Sequence, residues 1–519
     1  MPLIKKGEIN DMGSIKKMNY DVSVNDNVAF NNKVDYCVGT GRAGLALHKE
    51  YYDQLKYVQD NIGFDYIRGH GLFTDDMAIY QEYENESGEI VAEYNFTYLD
   101  RIMDMYRSVH IKPFIELGFM PEKLASGDQT VFYWKGQTTP PKSYGAWCDL
   151  VVATLSHLME RYGREEVLTW PVEVWNEPNL PGFWKDADME EYFMLFAETF
   201  AAIKMLDPEI RVGGPAICGV NDEEWIDKFM AFCRDNSINP DFITRHHYTT
   251  EVPDRDGHYV YQQLTDPGYG IGNLHTTREI VDSYGEFTGK EIHITEYNTS
   301  YCPNNPIHDT NINAAFIAHQ LSWLGDDNAS YSYWTFGDVF EEEGVPYTPF
   351  HGGFGLVANG VIPKPTFWSF AFFKKLKGQC IHRSDDSVIV KTPDGKLRGV
   401  AWNHCTKRTG RVIDYKCSIK LDEPASDKYC VIYKAVDEEV CNPLKVWHDL
   451  GEPSSLSEQQ LKLLKEAAAP LVTSDIIEVH DGSIEIRIEL KEFAVVYFEC
   501  EPVNIRSDRG YSYERSMLL

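Results

Sequence analysis

Up to about residue 365, short apolar or β-branched runs recur along the chain, and each is followed by a stretch of helical period. The runs are VDYCVGT (34–40), FDYIRGH (64–70), KPFIELGF (112–119), PVEVWNE (171–177), RVGGPAI (211–217), DFITRHHY (241–248), EIHITEYN (291–298) and YSYWTFGD (331–338). Between them YYDQLKYVQDNI, YLDRIMDMYRSV, EYFMLFAETFAAIKML, EEWIDKFMAFCRD and NAAFIAHQLSWL read as helices. Eight β-then-α units in series predict an α/β fold, a (β/α)8 TIM barrel over residues 33–365, with a doubly wound sheet as the alternative. The polar residues favour the barrel. Nearly every run ends in residues that strands disfavour, such as Arg-Gly-His, Asn-Glu-Pro, Arg-His-His-Tyr and Glu-Tyr-Asn. In a barrel all eight ends meet at one mouth, whereas a doubly wound sheet gathers its chemistry at one switch point.

The pattern changes over residues 366–519. SVIVKT, LRGVAWNH, RVIDYKCSIKL, KYCVIYKAV, SIEIRIEL and EFAVVYFEC are strands with little helix between them. SIEIRIEL alternates strictly, with Ile484, Ile486, Ile488 and Leu490 inward and Glu485, Arg487 and Glu489 outward, which predicts a C-terminal β-sandwich. One helix interrupts it at about 454–470, where Ser455 and Glu458 are spaced as a capping box and Pro470 follows the end. The polar segment 1–32 fits neither pattern.

Composition narrows the function. A formal net charge of −31 argues against nucleic acid and against anionic membranes, since either partner demands a cationic face. Eleven cysteines without CxxC pairs suit reduced thiols, and the start MPLIKKGEIN carries no apolar leader, so the expected home is the cytoplasm. No run is long and apolar enough for a membrane span.

The candidate chemistry is carboxylate chemistry. Glu177 ends an apolar strand, and Pro178 is expected to hold it extended at the rim. Beside Trp175 its charged form is disfavoured, which suits a general acid. A partner carboxylate is needed, and Glu116, Glu173, Glu296 and Asp338 are the candidates. Eight strands ~4.8 Å apart and tilted ~36° give a radius of roughly 7–8 Å, so strands four and seven lie ~13–14 Å apart. With each side chain reaching about 4 Å inward, Glu177 and Glu296 end ~5–6 Å apart, near the ~5–5.5 Å of retaining glycosidases. Glu173 lies deeper and reads as a hydrogen-bond partner.

Other signals point elsewhere or nowhere. GTGRAG (39–44) matches the dinucleotide fingerprint, but eight repeated units and sugar-type carboxylates outweigh it, and no cofactor is expected. His70, His246, His247, His293 and His351 form neither HxH nor HExxH, so no metal site is expected. Trp334 and Phe183 are core aromatics or sugar platforms, and a strand-end Trp at a barrel mouth favours the platform.

At WNEP and HITEYN the chain resembles glycoside hydrolase family 39. YCVGTGRAGLAL, YIRGHG, FIELGFMPEKLASG, WNEPNLPGFWKDAD, YSYWTFGDVFEE and FHGGFGL are similar to that family's bacterial β-xylosidases. The resemblance implies Glu177 as acid/base and Glu296 as nucleophile, in a retaining exo-acting β-1,4-xylosidase acting on short xylo-oligosaccharides. It implies that Asn176 donates to the sugar 2-hydroxyl, that Tyr248 bonds Glu296, and that His70 and His246 bind ring hydroxyls. Trp334 then floors the pocket, and Glu342, one of three glutamates in a row, holds the 3- or 4-hydroxyl. His247 stands where a smaller residue belongs in the family pattern. The resemblance also implies that segment 1–32 packs on the sandwich and that the chain forms a homodimer or homotetramer. The rival activities are α-L-arabinofuranosidase, α-L-iduronidase and a non-catalytic sugar-binding barrel.

Overall fold

The computed structural model describes residues 14–504 and 509–518. Eight strands form its centre: β1 (Cys37–Thr40), β2 (Tyr66–Gly69), β3 (Lys112–Leu117), β4 (Val172–Val174), β5 (Val212–Ile217), β6 (Phe242–Tyr248), β7 (Glu291–Asn298) and β8 (Ser330–Tyr333). All pair parallel in chain order, and β8 pairs with β1 to close the barrel. Closure excludes the doubly wound alternative. A helix follows each strand: α1 (Lys49–Asn61), α2 (Thr97–Ser108), α3 (Tyr144–Tyr162), α4 (Met189–Leu206), α5 (Asp222–Asp235), α6 (Pro267–Ser283), α7 (Asn311–Leu321) and α8 (Pro365–Phe373). Helix starts follow local chemistry, as where Asp188 accepts the Glu191 N–H at 3.1 Å to cap α4. Helix α8 crosses residue 365, and its Phe367, Phe370 and Phe373 join the barrel's apolar core.

The barrel interior is layered. At its floor Cys37, Phe114 and Phe242 cluster, with the His293 ring edge-on to both phenylalanines. Above this apolar plug lie charged side chains, described below.

Beyond the barrel lie two further sheets. One has three strands, Ile15–Ser23, Val412–Lys420 and Ser483–Leu490, and Ile15–Ser23 pairs parallel with Val412–Lys420. Residues 1–13 of the N-terminal segment lie outside the described residues. The other sheet has six strands, in the order Gln379–Arg383, Ser387–Lys391, Leu397–Trp402, Val495–Pro502, Lys428–Val436, Leu471–Glu478. Ile413, Ile484 and Ile486 of the first sheet meet Ile389, Val431 and Phe498 of the second in one core separate from the barrel's.

The inserted helix runs over Glu458–Ala467 and its capping box is Ser457 with Gln460, not Ser455 with Glu458. The Ser457 hydroxyl accepts the Gln460 N–H, and the Gln460 side chain accepts the Ser457 N–H in return. This start buries Leu464, which joins Trp447, Phe350 and Ile362 against the segment after β8. All eleven cysteines are free, and no helix among the described residues is long and apolar enough to cross a membrane.

The segment after β8 is pinned from inside. Lys364 is fully buried and its ammonium lies 2.6 Å from Asp309 and 2.6 Å from Asp338. It also donates to the Gly353 carbonyl at 2.8 Å, while Asp309 and Asp338 accept the Gly352 and Gly355 N–H groups. Replacing Lys364 by Met leaves two buried carboxylates without a cation. Denaturant unfolding is expected to show a loss of about 3–5 kcal/mol, partly recovered when Asp338 also becomes Asn. An unchanged unfolding midpoint would remove the triad's structural role.

Candidate active site

Glu177 reaches the barrel mouth by an irregular route. Strand β4 stops at Val174, and the next backbone N–H groups are captured from both sides. Trp175 donates to Leu117 of β3 at 3.1 Å, and Glu177 donates to Ala216, at the β5 side, at 2.8 Å. This capture turns the chain, with φ at +71° for Trp175 and +44° for Glu177. The expected extended backbone before Pro178 is therefore corrected: Glu177 is in the left-handed region, a conformation that costs non-glycine residues about 1–3 kcal/mol. As a result Asn176 and Glu177, successive residues, both face the interior.

Glu296 also depends on a local irregularity. On β7, His293 and Thr295 point inward, the latter donating to Glu173 at 2.9 Å. Regular alternation would turn Glu296 outward. The register of β7 shifts against β6, with Ile294 opposite Arg245 but Glu296 opposite His246. This bulge inserts one residue and re-aims the Glu296 side chain into the barrel.

The two glutamates face each other. One oxygen from each, together with a His246 ring nitrogen, all lie within 4.8 Å of one another. His246 Nδ1 shares a 2.7 Å hydrogen bond with Glu177 and lies 3.4 Å from Glu296. Glu296 accepts from Arg68 at 2.7 Å and from the Tyr248 hydroxyl at 2.8 Å. Among the described residues, this trio is also the group that comes close enough to hold a metal ion, and the 2.7 Å bond between His246 and Glu177 joins two of its members directly.

Arg68 is the hub. Its Nε donates to Glu173 at 2.5 Å, and one Nη lies 3.0 Å from both Asn176 Oδ1 and Glu116. With its carbonyl oxygen spent on Arg68, Asn176 keeps its NH2 group for the cavity. Glu116 also bonds His70 Nδ1 at 2.7 Å, which turns His70 Nε2 toward Glu296 at 3.5 Å and Glu342 at 3.9 Å. Glu116 is thus a structural partner of Arg68 and His70, Glu173 is another, and Asp338 belongs to the Lys364 triad.

The charges divide unevenly. Burial pushes the Glu177 carboxyl well above the usual range, the Glu296 charge adds to this, and Arg68 opposes it. Glu342 is raised the same way, by burial and then by Glu296 and Glu177. Burial, with Arg68 and other cations nearby, holds His246 neutral, well below an ordinary imidazole. His247, facing α6 on the outside, falls to about 3 through burial and Arg245.

A cavity of about 650 Å³ opens here, and Glu177, Glu296, His70, Asn176, His246, Tyr248, Trp334, Glu342 and Phe183 all line it. Phe183 packs on Phe132, another lining residue, at 5.2 Å between ring centroids. Trp334 stacks beside His70 at 4.6 Å, and a Cβ on Gly39 would meet its indole at 2.4 Å. The first glycine of GTGRAG therefore makes room for Trp334, and Gly41 does the same for Phe340, with no dinucleotide involved. The three consecutive glutamates separate clearly. Glu341 pairs with Arg42 at 2.9 Å; Glu342 and Glu343 both line the cavity, but Glu343 is engaged by Asn304 at 3.0 Å and lies 3.7 Å from Arg255, whereas Glu342 lies 3.9 Å from His70.

Sequence reasoning missed Arg68 as a site residue. The available signal is its two-residue spacing from His70 in YIRGH, which puts both on one face of β2.

Comparison with known proteins fits this site. Residues 21–484 match the model of glycosyl hydrolases family 39. A β-xylosidase from Geobacillus stearothermophilus is 48% identical over 487 residues, covering 93% of this chain and 95% of that protein. A monomeric β-xylosidase from Caulobacter crescentus CB15 superposes with a TM-score of 0.84 at 32% identity, covering 94% of this chain and all of the other. The GH39 enzyme from Xanthomonas axonopodis pv. citri gives a TM-score of 0.85 at 30% identity, covering 97% of this chain. The match over most of the length, on a closed barrel with opposed glutamates at its mouth, means that this chain belongs to glycosyl hydrolases family 39.

Proposed function

We propose that the protein is a retaining, exo-acting β-1,4-xylosidase that releases xylose from the non-reducing ends of short xylo-oligosaccharides. The observation that carries this reading is the opposed pair Glu177 and Glu296, whose nearest oxygens lie within 4.8 Å but whose surroundings differ in charge. That separation is close to the ~5–5.5 Å of retaining enzymes and short of the ~6.5–9.5 Å used for inversion. Arg68 and Tyr248 both donate to Glu296, which leaves that carboxylate aimed at the anomeric carbon. Burial, and then the Glu296 charge, pushes the Glu177 carboxyl well above the usual range, as suits a proton donor. Buried His70, Trp334 and Phe354 wall one side of the cavity, as suits a terminal sugar.

In the first step Glu296 forms a bond to the anomeric carbon while Glu177 gives its proton to the departing glycosidic oxygen. The resulting ester removes the negative charge at Glu296. The repulsion that raises Glu177 then disappears, and its carboxylate becomes a base. It takes a proton from water, the water attacks the anomeric carbon, and xylose leaves with its configuration retained. In this reading the NH2 of Asn176 serves the 2-hydroxyl, and His70, His246 and Glu342, which line the same cavity, serve the remaining ring hydroxyls over Trp334.

The arginines speak against a uronate substrate. Arg42 is held by Asp76 and Glu341, Arg245 by Asp222 and Asn273 outside the barrel, and Arg68 by three carboxylates. None of these three is left to clamp a sugar carboxylate, and Arg255, which also lines the cavity, lies 3.7 Å from Glu343. Eleven unpaired cysteines support a reducing compartment, the cytoplasm. We read the two outer sheets as a β-sandwich domain beginning after α8, completed by the N-terminal strand.

A panel of nitrophenyl glycosides, with NMR of the first anomer released, tests both sugar and stereochemistry. β-Xylose must appear first, and an α product would refute the covalent route. Glu296→Ala should abolish turnover of every substrate. Glu177→Ala should lower kcat/KM on xylobiose by about 10²–10⁴-fold while sparing aryl xylosides with good leaving groups. Equal losses on both substrates would reverse or void the assignment. The sign of the coupling is checked in Glu296→Gln: losing a like charge favours the Glu177 anion, so its NMR-measured pKa should fall, and an unmoved pKa would deny the interaction.

A further inference from the structure

The six-stranded sheet has two edges, and they are finished differently. The edge strand Gln379–Arg383 is short, its register shifts between Cys380 and His382, and the N-terminal segment covers it. There Val28 donates to the Cys380 carbonyl, and Gln379 donates to the Asp26 carbonyl. These are the devices by which proteins keep an edge from pairing further.

The other edge, Leu471–Glu478, has none of them. It is eight residues long, its pairing with Lys428–Ala435 is regular from end to end, and it has a strand neighbour on one side. Its sequence LVTSDIIE contains no Lys, Arg or Pro. Its apolar side chains stand in solvent, with Leu471 at 49%, Val472 at 59% and Ile476 at 51% exposure. Such a strand is a template for one more strand.

The strand's own sequence specifies what fits. A two-fold axis perpendicular to the sheet joins two copies antiparallel and keeps each face continuous. Residues then pair so that one of them meets its own copy on the axis. Placing Asp475 there opposes two carboxylates, and placing Thr473 there sets Leu471 against Asp475. Placing Ser474 there sets Val472 against Ile476, Leu471 against Ile477 and Thr473 against Asp475. Every apolar residue of the strand then meets an apolar one, Asp475 meets the Thr473 hydroxyl, and Glu478 falls beyond the paired strand, opposite Pro470. We propose that Leu471–Glu478 is an assembly surface whose partner is the same strand of a second copy, paired antiparallel about Ser474 into a continuous sheet.

Sedimentation and light scattering of the full chain test this. The wild-type protein should run as an even multiple of the chain mass, and Ile476→Lys, which puts a cation opposite Val472, should halve that mass. Hydrolysis of nitrophenyl xyloside, remote from this edge, serves as the control for folding. Under mild oxidant Ser474→Cys should give a two-chain species on a non-reducing gel, whereas Thr473→Cys should not. A wild-type monomer overturns the proposal, as does an assembly whose mass survives Ile476→Lys, since its contact or partner segment then lies elsewhere. A cross-link through Thr473→Cys in place of Ser474→Cys overturns the register.

Discussion

The Arg68 guanidinium, fully buried, touches carboxylates from three other strands: Glu116 of β3, Glu173 of β4 and Glu296 of β7. A fourth contact goes to Asn176, immediately before Glu177. A buried charge without partners is prohibitively costly, so none of these groups can move alone. Arginine suits the position because its planar fork offers several donors in fixed directions, which a lysine cannot. One side chain therefore sets the separation of the strands that carry the opposed glutamates.

The same group creates the difference between them. Glu296 lies in direct contact with the cation and with the Tyr248 hydroxyl. Glu177 has a neutral imidazole as its hydrogen-bond partner and feels the arginine from farther away. Several carboxyl groups share one guanidinium, so the site lacks enough positive charge to ionise them all. The carboxyls pushed up, by burial first and then by their like-charged neighbours, are Glu177 and Glu342. Two identical residue types thus meet different surroundings from position alone. Because repulsion from Glu296 is part of what keeps Glu177 protonated, chemistry at one carboxylate changes the other.

Much of this was readable before any coordinates. The eight-fold recurrence of strand and helix gave the barrel, since periodicity survives the loss of tertiary detail. That Glu177, Glu296 and the aromatic and histidine strand ends line one cavity was legible because polar residues at the tips of apolar strands have few other uses. Backbone irregularity was not readable. Strict alternation along EIHITEYN turns Glu296 away from the interior, and the bulge that corrects this leaves no mark in composition. Pro178 suggested an extended Glu177, but hydrogen bonds from two neighbouring strands override that local preference. Charge partners were equally hidden. Glu116 and Glu296 look alike in sequence, and which of them meets Arg68 from the mouth depends on depth within the barrel.

The outer sheets matter to the site through the segment that follows β8. Phe354, a wall of the cavity, lies between Gly353, whose carbonyl accepts from Lys364, and Gly355, whose N–H donates to Asp338. A Cβ at Gly353 or Gly355 would come within 2.4 or 2.5 Å of neighbouring atoms, so this wall is packed without slack. On its far side, Phe350, Ala358 and Ile362 of the same segment pack against Trp447 and Leu464, from helices inserted between strands of the outer sheet. The cavity wall is therefore fixed from inside by charge and from outside by apolar contact. A change at Leu464 or Trp447 can reach the sugar pocket by this route with no alteration in any residue that touches substrate, because the segment between them has no room to absorb a displacement.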